Sequence, residues 1–250
     1  MPRQVKATVI LPVYNEADLI VHSFDAVTDF AEQAPNFQFL FVDDGSSDDT
    51  AQILRRLLES RQLSNIRLLL CAKNAGKGRA IRTGIEQADG DLVIFTDGDL
   101  AYPLDQLGLL VEALQKHDVV IGSRGLGSLQ QGNRNLMRHI SGWGFNKLVR
   151  LMFSFPYQDT QAGLKGFRVE AARKIFSKQQ IFDYAFDVEI IYLARRMGFT
   201  IAEVPVCVSE WHSYSKSKVN LLRDPLLMLA SLLRIYLNGL NGRYGSPDSP

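Results

Sequence analysis

The chain has 250 residues, enough for one large domain with a substantial core or for two small ones. Its 46% hydrophobic and 22% charged residues are the ordinary balance of a globular protein. The net charge of +1 identifies no partner by itself, and the absence of any window with roughly 20 apolar residues argues against a membrane-spanning helix.

The charge is distributed unevenly along the chain. Residues 1–120 carry a net charge of −7, and residues 121–250 carry a net charge of +8. The first half therefore has carboxylates to spare for a cation. The second half could receive an anion or lie against an anionic surface.

The cysteines and the N-terminus indicate a compartment. Cys71 and Cys207 both fall in apolar, strand-like runs, which predicts two buried free thiols and suits a reducing cytoplasm. The first residues lack the long apolar stretch of a signal peptide. We therefore expect a cytoplasmic protein.

Strands and helices alternate in the first half of the sequence. Short apolar runs predict strands, and the capping residues Asn15 and Ser47 or Asp48 predict helix starts. The predicted elements are, in order, a strand at 5–11, a helix at 15–33, a strand at 37–42, a helix ending at Arg61, a strand at 66–71, a helix near 78–88, a strand ending before Asp97, a helix opened by Pro103 and a strand at 119–122. This alternation predicts a mainly parallel sheet with right-handed crossovers.

The alternation fades in the second half. A glycine- and glutamine-rich loop is predicted at 125–134, and a frayed tail at 242–250. Between them the predicted elements are a helix at 135–153, a strand at 162–168, helices at 170–176 and 186–197, a strand at 201–208 and a final helix at 220–237.

The stretch Leu92-Val-Ile-Phe-Thr-Asp97-Gly98-Asp99 is the most informative part of the chain. It reads as a buried strand that ends in two carboxylates one residue apart. At the rim of a sheet such carboxylates can converge on a hard cation, which is a means of holding a diphosphate. An ordinary Asp-Gly turn is the alternative interpretation.

Polar motifs follow three successive strands. They are Asp43-Asp44-Gly45-Ser46, Asn74-Ala-Gly76-Lys77-Gly78 and Asp97-Gly98-Asp99. Parallel strands share a carboxyl edge, so the three motifs should lie together. A nucleotide there would meet a carboxylate, close backbone approach at the glycines, the Lys77 ammonium and a metal-binding Asp. For Gly76 and Gly78 a plain loop before a helix stays open.

With Leu11-Pro-Val-Tyr-Asn-Glu16 these motifs resemble the nucleotide-sugar half of the family 2 inverting glycosyltransferases of the GT-A fold. Five segments of the second half are similar to the dolichyl-phosphate sugar synthases, and the run from Ser217 to Asp224 is most similar to their β-glucosyl subgroup and its prokaryotic polyprenyl-phosphate relatives. The segments are Ile121-Gly-Ser-Arg124, Asp159 to Arg168, Phe186-Asp-Val-Glu189, Ala202-Glu-Val-Pro205 and Ser217-Lys-Val219. The resemblance implies one α/β GT-A-type, Rossmann-like domain at 1–241, with a nucleotide-sugar half at 5–122, an acceptor half at 123–241 and a tail at 242–250.

The resemblance also implies roles for individual residues. The residues expected around the nucleotide sugar are Pro12, Tyr14, Glu16, Asp44, Lys77, Asp97 and Gly98. Asp99, with Asp97, would bind Mg²⁺ or Mn²⁺. The residues expected around the acceptor phosphate are Arg124, Arg138, Lys165 and Lys218, and the catalytic set is Asp97, Asp99, Arg124, Arg138 and Lys165.

Two positions depart from the family pattern. Ala101 stands where the mannosyl synthases have a Gln that helps to hold the metal, so the metal shell must be completed differently. Lys165 stands where an Arg is frequent, and a Lys neutralises phosphate without forming a bidentate fork.

The expected reaction is transfer of a hexose, with glucose from UDP-glucose favoured, to dolichyl or another polyprenyl phosphate. Mannosyl transfer from GDP-mannose, another family 2 transfer, a sugar nucleotidyltransferase and a non-catalytic nucleotide-sugar-binding module are the alternatives. A phosphate monoester with a second pKa of about 6 is already largely ionised at neutral pH, so no general base is needed.

Three further predictions concern the second half. Asp159 could cap a turn through Thr160, which we favour, or help order the acceptor site. Asp187 and Glu189 could pair with Arg195 or Arg196. The helix at 221–237, with basic residues at 216, 218, 223 and 234, predicts peripheral binding at the cytoplasmic face of a membrane, with a core helix or an oligomer contact as alternatives.

Overall fold

A seven-stranded sheet forms the centre of the computed structural model, which describes residues 6–61, 63–126, 136–209 and 224–245 and omits the side chains of 136–143 and 224–226. The strands are β1 (Ala7–Val13), β2 (Phe37–Asp43), β3 (Ile66–Leu70), β4 (Leu92–Phe95), β5 (Val119–Ser123), β6 (Lys165–Arg168) and β7 (Ile201–Pro205). Their order across the sheet is β3-β2-β1-β4-β6-β5-β7.

Helices cover both faces of this sheet. They are α1 (Ile20–Gln33), α2 (Thr50–Arg61), α3 (Lys77–Glu86), α4 (Leu107–Leu114) after a 3₁₀ turn (Leu104–Gln106), α5 (Leu136–Phe153), α6 (Val169–Ser177), α7 (Phe186–Arg196) and α8 (Asp224–Leu240). Within the described ranges no helix is both long and apolar enough to cross a membrane.

The sheet is mainly parallel, as the alternation of elements predicts. β6 is the exception, because it pairs antiparallel with both β4 and β5. Its first residue, Lys165, stands opposite Phe95 on one side and Ile121 on the other. Since β6 runs in reverse, its beginning lies at the carboxyl edge of the parallel strands, and this places residues just before Lys165 beside the loops that follow β4 and β5.

Alternate residues of the central strands enter two separate cores. Phe39 and Phe41 of β2 pack on the side of α1, where the Phe24 and Phe41 rings stack at 5.8 Å. Leu40 belongs to the opposite core, where Phe95 stacks on Phe167 at 5.9 Å. Burial on both faces explains why these strands are continuous apolar runs rather than alternating ones.

The start of α1 differs from the prediction. The helix begins at Ile20, and its cap residue Leu19 makes no side-chain capping bond. Asn15 has a positive φ of 50°, and its Oδ1 accepts the Ser47 amide at 2.8 Å. The predicted capping role of Asn15 is therefore wrong, because its side chain ties the loop after β1 to the loop after β2. Asp48 does accept the Thr50 amide at 3.0 Å, at the start of α2.

The C-terminal turn is anchored rather than frayed as far as Gly245. Tyr244 is only 3% exposed, and its hydroxyl donates to Glu189 at 2.7 Å. Glu189 also accepts the Gln180 and Ile181 amides, and not an arginine as predicted. Burial raises the pKa of Glu189 to about 7, against the lowering effect of these hydrogen bonds.

The prediction of two buried thiols is wrong for Cys207, which is exposed, while Cys71 is half-buried and both are free.

Candidate functional site

Three loops meet at the carboxyl edge of the sheet, as their positions after parallel strands predict. Asp44, after β2, accepts the backbone amides of Ala75 and Gly76 at 3.0 and 2.8 Å. Burial raises the pKa of Asp44, and these two amide hydrogen bonds partly offset the rise. The carboxylate thus fixes the glycine loop before α3, while its contact with a nucleoside stays a prediction.

The glycine loop requires its glycine at position 76. Gly76 has a φ of 95°, and a Cβ there would lie 2.5 Å from the Phe182 carbonyl oxygen. That same carbonyl accepts the Gly78 amide at 3.1 Å. The loop before α3 is therefore held between Asp44 on one side and the segment before α7 on the other, which fixes the start of α3 and Lys77.

The loop after β1 completes this side of the cleft. Pro12, Tyr14 and Glu16 are all half-buried, and the Asp44 amide donates to Val13 at 2.9 Å. The Glu16 amide donates to Thr50 at 2.8 Å, which links this loop to α2. The three residues predicted to line a nucleoside pocket therefore stand next to Asp44, and their contact with a ligand stays a prediction.

Lys77 and Asp97 form an ion pair inside the cleft, with 31% and 30% of their side chains exposed. The Lys77 ammonium also lies 5.9 Å from the Phe186 ring centre. Burial opposes the charge on Lys77, but Asp97 and then Asp187 outweigh it and raise the lysine pKa. Lys77 therefore stays charged beside Asp97.

The backbone around Asp97 leaves little room. Any side chain at Gly163 would collide with the Asp97 carboxylate, and a Cβ at Gly98 would lie 2.6 Å from the Pro12 carbonyl oxygen. Asp99 is half-buried, and its Oδ1 accepts the Ala101 amide at 3.2 Å. Position 101 therefore contributes a backbone amide that orients Asp99.

Arg124 and Asp159 form a bidentate pair at the other end of the site. Arg124 Nε and Nη2 donate to the two Asp159 oxygens at 2.6 and 2.8 Å. Burial would raise the pKa of Asp159, but the hydrogen bonds from Arg124 lower it below its ordinary value. Among the residues that the structure describes, Thr160 Oγ1 has no hydrogen-bond partner. Because both Asp159 oxygens are bound to Arg124 instead, the preferred interpretation of Asp159 as a turn cap through Thr160 is wrong.

Lys165 lies below the cleft rather than on its surface. Its side chain is fully buried, and Nζ donates to Asp187 Oδ1 and to the Ala162 carbonyl oxygen, each at 2.5 Å. Asp187 therefore does not pair with Arg195 or Arg196 as predicted. A direct contact between Lys165 and an acceptor phosphate would require this ion pair to open, and that role stays a prediction.

Tyr102 is a site residue that the sequence analysis missed. It is 3% exposed, and its hydroxyl accepts the Gly163 amide at 3.3 Å. Burial raises its pKa to about 12, so the phenol stays protonated at neutral pH. Its position three residues after Asp99 was the signal in the sequence that could have identified it.

Two residues predicted at the acceptor phosphate cannot be placed, because Lys218 and the side chain of Arg138 lie outside the described residues.

The two ends of the site are close together. Burial opposes the charge on Arg124, but its hydrogen bonds to Asp159 and the nearby charges, Asp97 among them, raise its pKa. Gly163 packs against Asp97 and donates to Tyr102, so the loop before β6, which carries Asp159, also contacts the Asp97 end. A carboxylate- and glycine-lined cleft that adjoins a clamped arginine, at the edge of a mainly parallel sheet, is the arrangement of a GT-A glycosyltransferase.

The family model for glycosyl transferase family 2 matches residues 8–176. A dolichyl-phosphate beta-glucosyltransferase of Dictyostelium discoideum is 32% identical over 248 residues, which cover 94% of this chain and 75% of that protein. The chain belongs to glycosyl transferase family 2, as the sequence motifs predict.

Two solved structures have a fold similar to that of this chain. A mannosyltransferase from Pyrobaculum calidifontis, in complex with GDP-Man and Mn²⁺, matches with a TM-score of 0.64 at 21% identity, over 96% of this chain and 65% of that one. Glucosyl-3-phosphoglycerate synthase from Mycobacterium tuberculosis, with Mn²⁺, UDP and glucosyl-3-phosphoglycerate, matches with a TM-score of 0.58 at 21% identity, over 98% of this chain and 82% of that one. The predicted GT-A fold is confirmed.

Proposed function

We propose that this protein transfers glucose from UDP-glucose to dolichyl phosphate or another polyprenyl phosphate, with inversion at the anomeric carbon. The observation that carries the proposal is that the loop before β6 contacts both sides of the cleft. Gly163 packs against the Asp97 carboxylate on the donor side, and Asp159 binds Arg124 on the acceptor side. The dolichyl-phosphate glucosyltransferase relative supports the choice of sugar and acceptor.

The donor set fits a divalent cation of the Mg²⁺ or Mn²⁺ type. Asp97 and Asp99 supply carboxylate oxygens, and such ions are commonly bound through one or two carboxylates together with substrate phosphates. Among the residues that the structure describes, no group of three or more His, Cys, Asp and Glu could hold a metal. The remaining positions would therefore go to diphosphate oxygens and water. When bound, the cation would stabilise the negative charge of the departing diphosphate.

The donor-side residues position the nucleotide sugar. The glycine loop brings backbone close to the ligand. Its Gly76 amide is bound to Asp44 and the Gly78 amide to Phe182, so the start of α3 offers a diphosphate mainly its lysine. Lys77 stands at that helix start as a permanent positive charge. Its pairing with Asp97 keeps both side chains in one geometry before the donor arrives, which lowers the cost of ordering them on binding.

The acceptor side needs a cation and no base. A lipid phosphate is already largely ionised at neutral pH, because its second pKa is about 6. Arg124 keeps 41% of its side chain exposed, although two of its nitrogens are engaged with Asp159. We place the acceptor phosphate on the exposed part of this guanidinium, from which a phosphate oxygen attacks the anomeric carbon in line with the leaving diphosphate.

The acceptor is a membrane lipid, so the proposal includes peripheral binding at the cytoplasmic face of a membrane. Helix α8 buries Leu232 and Ile235 and exposes a second apolar face. That face consists of Leu229, Leu233, Tyr236, Leu237 and Leu240, which are 40–66% exposed. An apolar helix face of this kind can lie in the interface of a bilayer. Lys216, Lys218 and Arg223, the other predicted contacts, lie outside the described residues.

Mannosyl transfer is the second candidate, because the similar Pyrobaculum structure holds GDP-Man. The test is a matrix of nucleotide sugars against a short polyprenyl phosphate, with Mn²⁺ present and the products identified by mass and by anomeric configuration. We expect a β-linked glucosyl lipid phosphate from UDP-glucose alone. A control with the matching polyprenyl alcohol should give no product, because it lacks the phosphate.

Each other outcome of this matrix contradicts the proposal in a defined way. Product from GDP-mannose alone would make the protein a mannosyltransferase. Formation of a nucleotide sugar and pyrophosphate from a nucleoside triphosphate and a sugar 1-phosphate would make it a nucleotidyltransferase. Binding of UDP-glucose without any product, in the presence of Mn²⁺ and acceptor, would support the alternative of a non-catalytic nucleotide-sugar-binding module.

A further inference from the structure

We propose that Glu203 and Asp159 act as a two-step brace that positions Arg124 for the acceptor phosphate. This inference rests on the proposed function, since it takes Arg124 as the phosphate-binding cation. The sequence predicts ordering of the acceptor site only as the less favoured alternative for Asp159, and it assigns no role to Glu203. Both are positioning residues, because they act through Arg124 rather than on a substrate.

The first step holds the loop that precedes β6. Glu203 lies on β7, next to β5, where it stands opposite Ile121. Its carboxylate accepts the Gln158 amide at 2.8 and 3.0 Å and the Asp159 amide at 3.1 Å. Two successive amides bound to one carboxylate fix the backbone on which Asp159 stands.

The second step holds the arginine. Asp159 accepts Nε and Nη2 of Arg124 and also the Arg124 backbone amide at 3.2 Å. Only 8% of the Asp159 side chain is exposed, against 41% for Arg124. The guanidinium is therefore clamped along one edge from inside the protein, and its exposed part faces outward in one orientation.

The brace replaces flexibility with a fixed geometry. An arginine side chain has many rotamers, and ordering it only when substrate binds would weaken binding. A guanidinium has five N–H donors, and the bidentate contact with Asp159 uses Nε and Nη2. The donors that remain are directed by the plane of the group, so the position of Asp159 sets where an anion is bound.

The opposite end of the same strand pair provides a matched control. Asp118, just before β5, accepts the Thr200 amide at 2.9 Å and the Thr200 hydroxyl at 2.7 Å. It is also a carboxylate that bridges β5 and β7, but it lies at the amino end of these strands. Asp118→Asn should therefore change thermal stability without changing acceptor kinetics.

The test compares Asp159→Asn, Glu203→Gln and Asp118→Asn, alone and combined with Arg124→Ala. We expect Asp159→Asn to lower kcat/KM for the lipid phosphate on the order of 10²-fold, because misplacing a substrate contact by about 1 Å has an effect of that size. Glu203→Gln should lower it less, since one carbonyl oxygen of the amide remains as an acceptor. KM for the nucleotide sugar should stay unchanged in both variants.

Non-additivity separates positioning from general damage. In the Arg124→Ala background, Asp159→Asn and Glu203→Gln should cause no further fall in acceptor kcat/KM, because the residue that they position is absent. An equal fall in both backgrounds would overturn the brace and leave the proposed function intact. Unchanged acceptor use in Arg124→Ala alone would overturn the acceptor site of the proposed function and the brace with it. If Asp159→Asn does not fold, Glu203→Gln in the two backgrounds decides the question.

Discussion

The proposed donor half at 5–122 and the proposed acceptor half at 123–241 relate to their sequence in different ways. In the donor half, each predicted motif follows a parallel strand, and the structure brings all three motifs together at one sheet edge. In the acceptor half, the pattern of parallel strands is interrupted by β6, which runs antiparallel between β4 and β5. Motif positions therefore translate directly into a site only where the chain direction is uniform.

The two halves also differ in how their charges are used. The net charge of +8 for residues 121–250 suggests a surface ready for an anion. Yet Arg124 is clamped by Asp159, and Lys165 is buried against Asp187. These two cations of the acceptor half are thus partnered by buried carboxylates. Four sets of variants can break or sharpen this comparison, from the largest expected effect to the smallest.

Asp99→Asn should abolish metal-dependent transfer and leave the fold intact. A bound cation contributes several kcal/mol of charge stabilisation, so turnover should fall by at least about 10²-fold. Asp99 is half-buried at the rim of the cleft, and its loss should not change the thermal unfolding temperature. Initial rates across a Mn²⁺ titration measure the effect.

The matched control for this variant is Asp105→Asn. Asp105 is an exposed carboxylate in the 3₁₀ turn that follows the same loop. It should keep full turnover and an unchanged Mn²⁺ dependence. Near-normal turnover in Asp99→Asn itself would show that the donor half does not hold a catalytic cation through this residue.

Lys165→Met should destabilise the protein by about 3–5 kcal/mol, because it leaves the Asp187 carboxylate buried and unpaired. The double variant Lys165→Met/Asp187→Leu should recover most of this loss, since an apolar pair can replace a buried ion pair. Urea unfolding measures both. A stable double variant that has lost acceptor use but not donor binding would instead support the predicted role of Lys165 at the phosphate.

Glu189→Gln, in the acceptor half, should remove a pH dependence from the free energy of unfolding of the protein. The Glu189 pKa rises from an ordinary value of 4.5 to about 7 in the folded state. Between these values the folded chain binds more protons than the unfolded chain, so stability should fall as pH rises through this window, by about 3 kcal/mol at most. The stabilisation is fully present below the unfolded pKa of 4.5.

Urea unfolding at about pH 5 and about pH 8 checks this expectation in the original protein and the variant. The decrease in stability on going to the higher pH should be smaller in Glu189→Gln. The same decrease in both proteins would contradict the assignment of the pH dependence to Glu189, and would leave the anchoring of Tyr244 as a contact without a role in proton binding.

Changing the exposed face of α8 should have the smallest effect on the molecule itself. The triple variant of Leu233, Leu237 and Leu240 to Ser should weaken pelleting with anionic vesicles. Changing Lys216, Lys218 and Arg223 to Gln should weaken it further, by about 1 kcal/mol for each cation, and salt should act in the same direction. Leu109→Ser, at a similarly exposed leucine on α4, is the control.

Pelleting that responds to neither set of changes would contradict the proposal that the exposed face of α8 and these cations bind a membrane. A triple leucine variant that instead turns a dimer into a monomer would assign the exposed face to contact between two copies of the chain. Neither outcome would contradict the proposed lipid acceptor, but in both cases α8 would not be the element that binds the bilayer.

Sequence patterns predicted the donor half well because its information is local. An apolar run of strand length followed by Asp97-Gly98-Asp99 predicts a strand and its polar end, and neighbouring parallel strands place such ends together. Gly76, in another of the three motifs, has a positive φ that a glycine adopts readily. The cap at Asn15 was wrong because a side-chain bond to another loop, 32 residues away, replaced the local one.

The sequence by itself determined the family, the order of strands and helices in the first half, and the carboxylates that end its strands. The tertiary structure alone decided which charges face one another: Arg124 with Asp159, Lys165 with Asp187, and Glu203 with the amides before β6. The partners in each pair are separated by 22 to 45 residues along the chain. Such pairing depends on how distant strands are ordered in the sheet and on which carboxylates burial forces to find a donor, and no local pattern of residues encodes either.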